Sequence, residues 1–507
     1  MPDLPQNGSG LDAGPKTKNL KFNVAINTVK NVVNLIFPII TYPYASRVLL
    51  PEGIGKVQYA VSFVAYFSMF AMLGIAMYGT RECARARDSR AELTKLVHEL
   101  LRILSVTTAV AYAALFAAIF LIPGLAPKRD VILVCSTTVL FTSIGVEWLY
   151  QGLEEYGYIT VRSLIMKAVS IVALFALVHG PQDYLIYAGI TVSASVGSNI
   201  LNFINLRRYI SIRPMRGLNA RSHLRPLMML FAMSAATSVY TNLDPVMIGW
   251  LTGSDAFVGF YTTANKMVSV VLVLVTTMST VLLPRISYYI KNNLSGQLHK
   301  LILKSINVIL FLALPGVLTL VIFAKPIILL MSGGSFLPSV PTMRILAPVV
   351  IFIALSNLIG IQYLLPHGRE RITVVSVFIG AGVNFTLKLL FLGRFGWGYS
   401  GAALATVISE ASVVGFQFMA TRDVMAPAIF NKNNLKYLIA CAVMAACALL
   451  SGRFIDTARV PGFALSAVLS GFLYCLVLFI LKDGVFHEFS HKLIIDPVIK
   501  ILKKGRT

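Results

Sequence analysis

The sequence predicts an all-α integral membrane protein with about 14 transmembrane helices, arranged as two pseudo-symmetric six-helix lobes around a central cavity plus two C-terminal helices. Three observations carry that prediction. The 507 residues are 57% hydrophobic and only 13% charged, with a mean hydropathy of +0.77, whereas soluble domains carry roughly 25% charged residues. Apolar stretches of about 20 residues recur from Phe22 to Leu481, each long enough to cross roughly 30 Å of hydrocarbon as a helix. Lys and Arg fall almost entirely in alternate loops. Spanning strands would alternate over about 10 residues, which excludes a barrel.

In chain order the apolar stretches lie at roughly 23–48, 57–78, 99–122, 131–152, 158–179, 184–206, 226–250, 257–283, 303–324, 343–365, 372–392, 401–421, 435–451 and 461–481. They divide the chain into a disordered cytoplasmic tail (1–21), an N-lobe of six spans (22–210), a basic cytoplasmic linker (211–225), a C-lobe of six spans (226–425), spans 13 and 14 (426–482) and an amphipathic basic cytoplasmic tail (483–507). The first twenty residues are rich in Pro, Gly and Asn and lack the basic start and small-residue cleavage site of a signal peptide. About 29 Lys and Arg fall in the tails and one set of alternate loops against about 7 in the other set, so both termini are expected to face the cytoplasm. The net charge of +23 favours anionic lipid headgroups on that leaflet, which makes the membrane rather than nucleic acid the expected partner.

Enzymatic readings find little support. Cys83, Cys135, Cys441, Cys447 and Cys475 are scattered in or beside apolar segments without CxxC spacing and read as small buried hydrophobes. No loop exceeds about 20 residues, too short for a soluble catalytic domain, and a GxxxxGK[ST] phosphate loop is absent. His487, Glu488 and His491 fit the HExxH pattern of a membrane zinc metalloprotease. Only Asp496 stands near as a third ligand, and Phe486, Phe489 and Leu493 form the apolar stripe of an interfacial helix instead. The expectation is therefore no enzyme, no metal and no cofactor.

The chain also repeats itself, a feature of secondary transporters. Residues 150–163 read YQGLEEYGYITVRS and residues 363–376 read YLLPHGRERITVVS, so that Tyr150, Ile159, Thr160, Val161 and Ser163 recur at one offset. Gly55 and Tyr59 find a weaker echo in Gly259 and Tyr261. Six spans per half is an even number, which relates the halves by an axis along the membrane normal.

Polar stripes on apolar helices are expected to face a lumen, because lipid cannot satisfy them. The first span carries Asn23, Asn27, Lys30, Asn31, Asn34, Pro38 and Thr41 at spacings of three and four. Lys30 lies about 12 Å along that helix, too deep for a casual surface charge. The seventh span repeats the pattern with Ser234, Thr237, Ser238, Thr241, Asp244 and Pro245. Thr160, Ser163 and Lys167 lie on the fifth, and Thr373, Ser376, Asn384 and Lys388 on the eleventh. Lys266 and Glu410 fall near mid-membrane. Intramembrane cations outnumber anions, which suits a pyrophosphate-bearing cargo. The candidate substrate contacts are thus Lys30, Arg47, Lys167, Lys266 and Lys388; the coupling or ion-pair candidates are Glu147, Asp244 and Glu410; the polar lumen face is Asn27, Asn31, Asn34, Thr41, Ser238, Thr241 and Asn384. The alternative for each charge is a structural pair, such as Glu410 with Lys266 or Lys388, or a snorkelling side chain. Pro38, Pro43, Pro245, Pro315 and Pro348 are expected to interrupt their helices as kinks or hinges.

The segment EWLYQGLEEYGYITVRS at 147–163, followed by Lys167, Asp183 to Tyr187 and NFINLRRY at 202–209, closely resembles the Wzx-type flippases of the polysaccharide transporter family. FPIITYPYASRVL at 37–49 is similar to that family's first helix and LDPVMIGW at 243–250 to its seventh, so the resemblance covers about residues 20 to 425. The family stands with the multidrug and toxin extruders and the lipid II flippases. It implies a V-shaped two-lobe fold that carries undecaprenyl-pyrophosphate-linked repeat units to the outer leaflet of the bacterial cytoplasmic membrane by alternating access. The products would be capsule, O-antigen or exopolysaccharide, with polysaccharide polymerase and chain-length proteins as partners. Many members have twelve helices, so spans 13 and 14 depart from the pattern and suggest a docking surface or lipid groove. A multidrug or cation antiporter of the same superfamily would share the fold but be served by carboxylates and aromatics, whereas this set of charges is net basic.

Overall fold

The computed structural model describes residues 20–490 apart from 214, 216, 281, 282, 457 and 458. Most of the two tails named above therefore lies outside the described residues, as do His491, Leu493 and Asp496. All regular structure among the described residues is helical.

Among the described residues twelve helices are long and apolar enough to cross a membrane, against the expected fourteen. The difference has two sources. Helix α1 (Leu20–Met72) runs through the expected boundary between the first two spans, with 53 residues broken only at Leu50, whose φ of 58° and ψ of 175° leave the helical region. At 1.5 Å per residue it would be about 80 Å long if straight, far more than one crossing needs. The expected seventh span falls within α9 (Leu224–Thr252), 29 helical residues that are not among the twelve. Pro38, Pro43, Pro245 and Pro315 do not end their helices, which continue past them; neighbouring hydroxyls and packed helices can satisfy the freed carbonyls, as when Tyr474 donates to Phe311 O, four residues before Pro315, at 2.8 Å.

The chain forms two compact units, one of residues up to Leu49 with Lys56–Val246, the other of Leu50–Gly55 with Met247 onward. In the first, α2 (Ile75–Ala86), α3 (Arg90–Leu121), α4 (Arg129–Ile144), α5 (Glu147–Gly152), α6 (Tyr156–Leu177), α7 (Tyr184–Val192) and α8 (Asn199–Asn205) join most of α1 and of α9. Trp148, Leu149, Tyr150 and Ile159 are buried with Leu100 and Leu104 in its core. The linker before α9 is tied down by a polar chain: Asn219 N donates to Glu99 Oε1 at 2.7 Å, His223 Nε2 lies 2.9 Å from Glu99 Oε2, and Tyr78 Oη lies 2.7 Å from His223 Nδ1.

The second unit contains α10 (Asp255–Thr280), α11 (Leu283–Lys291), α12 (Ser295–Ile322), α13 (Ala324–Ser332), α14 (Ser339–Leu346), α15 (Val349–Ser356), α16 (Glu370–Lys388), α17 (Gly398–Met419), α18 (Arg422–Ile429), α19 (Leu435–Phe454), α20 (Val460–Ile480) and α21 (Gly484–Ser490). Helices α19 and α20, the pair beyond the repeat, pack on α12: Tyr437, Met444, Tyr474 and Leu478 are buried with Phe311 and Leu314, and Tyr474 donates to Phe311 O at 2.8 Å. The segment after Leu50 crosses the start of α10 with almost no room, since a Cβ on Gly55 would sit 1.8 Å from Asp255 O and one on Gly259 would sit 2.1 Å from Pro51 O.

Large apolar side chains stay open on many spans, Val172, Leu469 and Phe472 among them. Water would penalise so large an apolar surface, whereas hydrocarbon does not. The protein is a multi-pass membrane protein.

Candidate functional site

In the first unit the charges gather between α1, the α4 to α5 break and α6. Val146 adopts a left-handed backbone at that break, and α5 starts on Glu147. Lys30 Nζ donates to Glu147 Oε1 at 2.7 Å. Arg162, whose side chain is only 4% exposed, places Nη2 3.6 Å from Glu147 Oε2. Its Nη1 donates to Ser198 Oγ at 2.7 Å and to Asn199 Oδ1 at 3.1 Å. Gln151 Nε2 reaches Glu147 Oε1 at 3.4 Å. One carboxylate therefore faces two cations, Lys30 from α1 and Arg162 from α6. One turn beyond Lys30, Asn34 accepts a hydrogen bond from Lys167, whose ammonium also lies 5.5 Å from the centre of the Phe37 ring.

Arg162 is the residue that sequence reasoning missed. It lies inside the repeated ITVRS segment, but the second copy has Val375 at the matching place, so the repeat gave it no emphasis. A deep guanidinium needs a carboxylate, and the signal was an Arg on the same segment as Glu147. The other expected residues of this unit are dispersed. Thr41 is buried and donates to Phe37 O at 2.9 Å. Arg47 is exposed and donates to Pro43 O at 3.0 Å. Asp244 is buried and Thr241 exposed. The side chains of Asn27, Asn31 and Ser238 lie outside the described residues.

In the second unit Lys388 is completely buried at the end of α16 and donates to Asn384 Oδ1, while Asn384 Nδ2 donates to Ser409 Oγ at 3.1 Å. Glu410 follows Ser409 on α17 and is buried. Elsewhere on the same helix pair, Gln417 Nε2 donates to Ser376 Oγ at 2.9 Å. Lys266 is half-buried on α10. Of the HExxH residues, Glu488 pairs with Lys304 of α12, and no group of three His, Cys, Asp or Glu among the described residues is arranged to hold a metal.

Comparison with known proteins agrees with this architecture. The polysaccharide biosynthesis protein family matches residues 20–290, and the family described as lipid II flippase MurJ matches residues 260–470. A protein of Escherichia coli (strain K12) named "Putative O-antigen transporter" is 25% identical over 408 residues, covering 80% of this chain and 97% of its own. A like-named protein of Shigella dysenteriae is 24% identical over 416 residues, covering 80% and 100%. Among solved structures, lipid II flippase MurJ in an inward closed conformation aligns with a TM-score of 0.68 at 15% identity, covering 94% of this chain and all of that one. An inward-facing multidrug resistance MATE family transporter aligns with a TM-score of 0.60 at 13% identity, covering 82% and 100%. At these identities the two structures speak for the fold alone. With more than half of the chain matched, this protein belongs to the polysaccharide biosynthesis protein family.

Proposed function

We propose that the protein is a flippase that moves undecaprenyl-pyrophosphate-linked oligosaccharide repeat units from the inner to the outer leaflet of the bacterial cytoplasmic membrane by alternating access. The observation that carries this reading is the set of cations on membrane-spanning helices, Lys30, Lys167, Lys266 and Lys388, which suits a diphosphate better than an organic cation. The relatives named as O-antigen transporters, with almost their full length covered, support the substrate class. Domain boundaries at 210, 226 and 425, with spans 13 and 14 appended, belong to the same proposal. So do anionic lipids, polymerase and chain-length proteins as partners. A multidrug antiporter is the competing reading, and the basic balance of the buried charges speaks against it.

The test is transport of a lipid-linked repeat unit in reconstituted vesicles at equal protein amount. Single Lys→Ala changes at the four positions are expected to weaken transport about 10-fold or more each, since a charged hydrogen bond contributes roughly 1.5–3 kcal/mol, and Lys→Arg changes to retain much of it. Normal transport with all four lysines changed to Gln overturns the assignment. Orientation follows from the basic loops: reporter fusions after Arg90, Arg213, Lys291 and Lys500 are expected to read cytoplasm, and fusions near Pro181, Gly253 and Ser335 the outside. Reversal at any two of these sites refutes it.

A further inference from the structure

The first unit holds a second polar place, separate from its charges. Within the apolar spans, α1, α4 and α7 with its following turn line a half-open cavity of about 330 Å³. Five hydroxyls line it: Ser68 from α1, Thr138 and Thr142 from α4, Thr191 from α7 and Ser195 from the wide π turn Ser193–Gly197 that follows. Thr138 with Thr142, and Thr191 with Ser195, are each four residues apart and so stack on one helix face. Ser68 Oγ is buried without a hydrogen-bond partner, an unfavourable state that a ligand or water would relieve. π turns interrupt regular helices mostly where a function needs the altered geometry.

Among the described residues the lining contains no carboxylate, lysine, arginine or histidine. A diphosphate would find no cation here, and a metal or organic cation no anion. Hydroxyls that both donate and accept, set in an otherwise apolar wall of Val, Ala and Met, match a neutral polyhydroxylated ring. The volume falls at the small end of the range of roughly 300–1,000 Å³ for small-molecule sites. We propose that this cavity seats a neutral sugar ring of the transported glycan, while the lysines engage the pyrophosphate. This inference rests on the flippase reading and adds a separate subsite to it.

Two probes separate the two ideas: a polyprenyl pyrophosphate carrying a neutral disaccharide, and the same lipid without sugar, each titrated onto the full-length protein in nanodiscs. The triple variant Ser68→Ala, Thr142→Val, Thr191→Val is expected to weaken binding of the sugar-bearing lipid about 10- to 1,000-fold, at roughly 2- to 10-fold per hydrogen bond. Binding of the bare lipid should stay within about twofold of wild type on the same principle. The variant Thr142→Ser, Thr191→Ser keeps the hydroxyls and should bind as wild type; should the triple variant fail to fold, the single Val variants give the same comparison. Equal weakening of both lipids, or unchanged binding of the sugar-bearing lipid, overturns the proposal. If wild type binds both lipids equally, the sugar site falls and the lysine assignment stands. If wild type binds neither and transports neither, the flippase reading itself fails.

Discussion

Replacing Glu147 by Gln is expected to destabilise the protein by about 3 kcal/mol, the lower end of what breaking a buried ion pair costs. The lower end applies because the Glu147 side chain is 32% exposed, while Arg162 keeps its bonds to Ser198 and Asn199. The cost arises mainly at Arg162, which is left with a charge 4% exposed and no carboxylate at 3.6 Å. Removing that charge as well should recover much of the loss, so Glu147→Gln with Arg162→Met is expected to melt above Glu147→Gln alone. Lys30 should behave differently. With its side chain 20% exposed it can reorient, and Lys30→Met should cost less stability than Glu147→Gln while weakening transport more. With the single Arg162→Met and the double Glu147→Gln, Lys30→Met added, thermal unfolding of the five variants gives the coupling energy between Glu147 and each cation. A coupling near zero for Glu147 with Arg162, or a Lys30→Met variant that transports normally, contradicts the arrangement.

How much of this was legible in the sequence divides along physical lines. Span positions follow from a length requirement that any apolar stretch must meet, so residues 99–122 or 461–481 declare themselves locally. The break at Leu50 falls in the expected gap between 48 and 57, but its form, a single positive-φ Leu with helix on both sides, was not legible from local residues. π turns such as Ser193–Gly197 are silent too, since nothing in the run Ser-Ala-Ser-Val-Gly separates a π turn from an α-helix. For the site, Lys30 and Lys167 stood out as charges on apolar helices, and their neighbours in the structure are Glu147 and Asn34. The identity of the partners required tertiary structure: Lys30 and Glu147 lie 117 residues apart. The same holds for the tie between Glu99 and His223, a long-range pair that no local spacing announces.

The crossing at Gly55 and Gly259 leads to the other large effect expected. Its two contacts are reciprocal: the fourth residue after Pro51 meets the carbonyl of Asp255, and the fourth after Asp255 meets the carbonyl of Pro51. Both glycines thus sit where two backbones touch, the small-residue spacing that permits close helix approach in membranes. Neither has positive φ, so closeness and not backbone freedom is what requires glycine here. A methyl group at 1.8 or 2.1 Å from a carbonyl oxygen overlaps it by more than 1 Å, and backbone cannot swing aside as a side chain can. Gly55→Ala and Gly259→Ala are each expected to destabilise by about 3 kcal/mol or more, the upper end for overpacking. Because a single separation of the two segments makes room for both methyl groups, the double variant should cost clearly less than the sum of the singles. Gly124→Ala serves as the control, with open space around its added Cβ. Thermal unfolding in matched detergent checks all four; additive losses would mean that the two contacts are independent, and singles as stable as the control would mean that the backbones do not meet there.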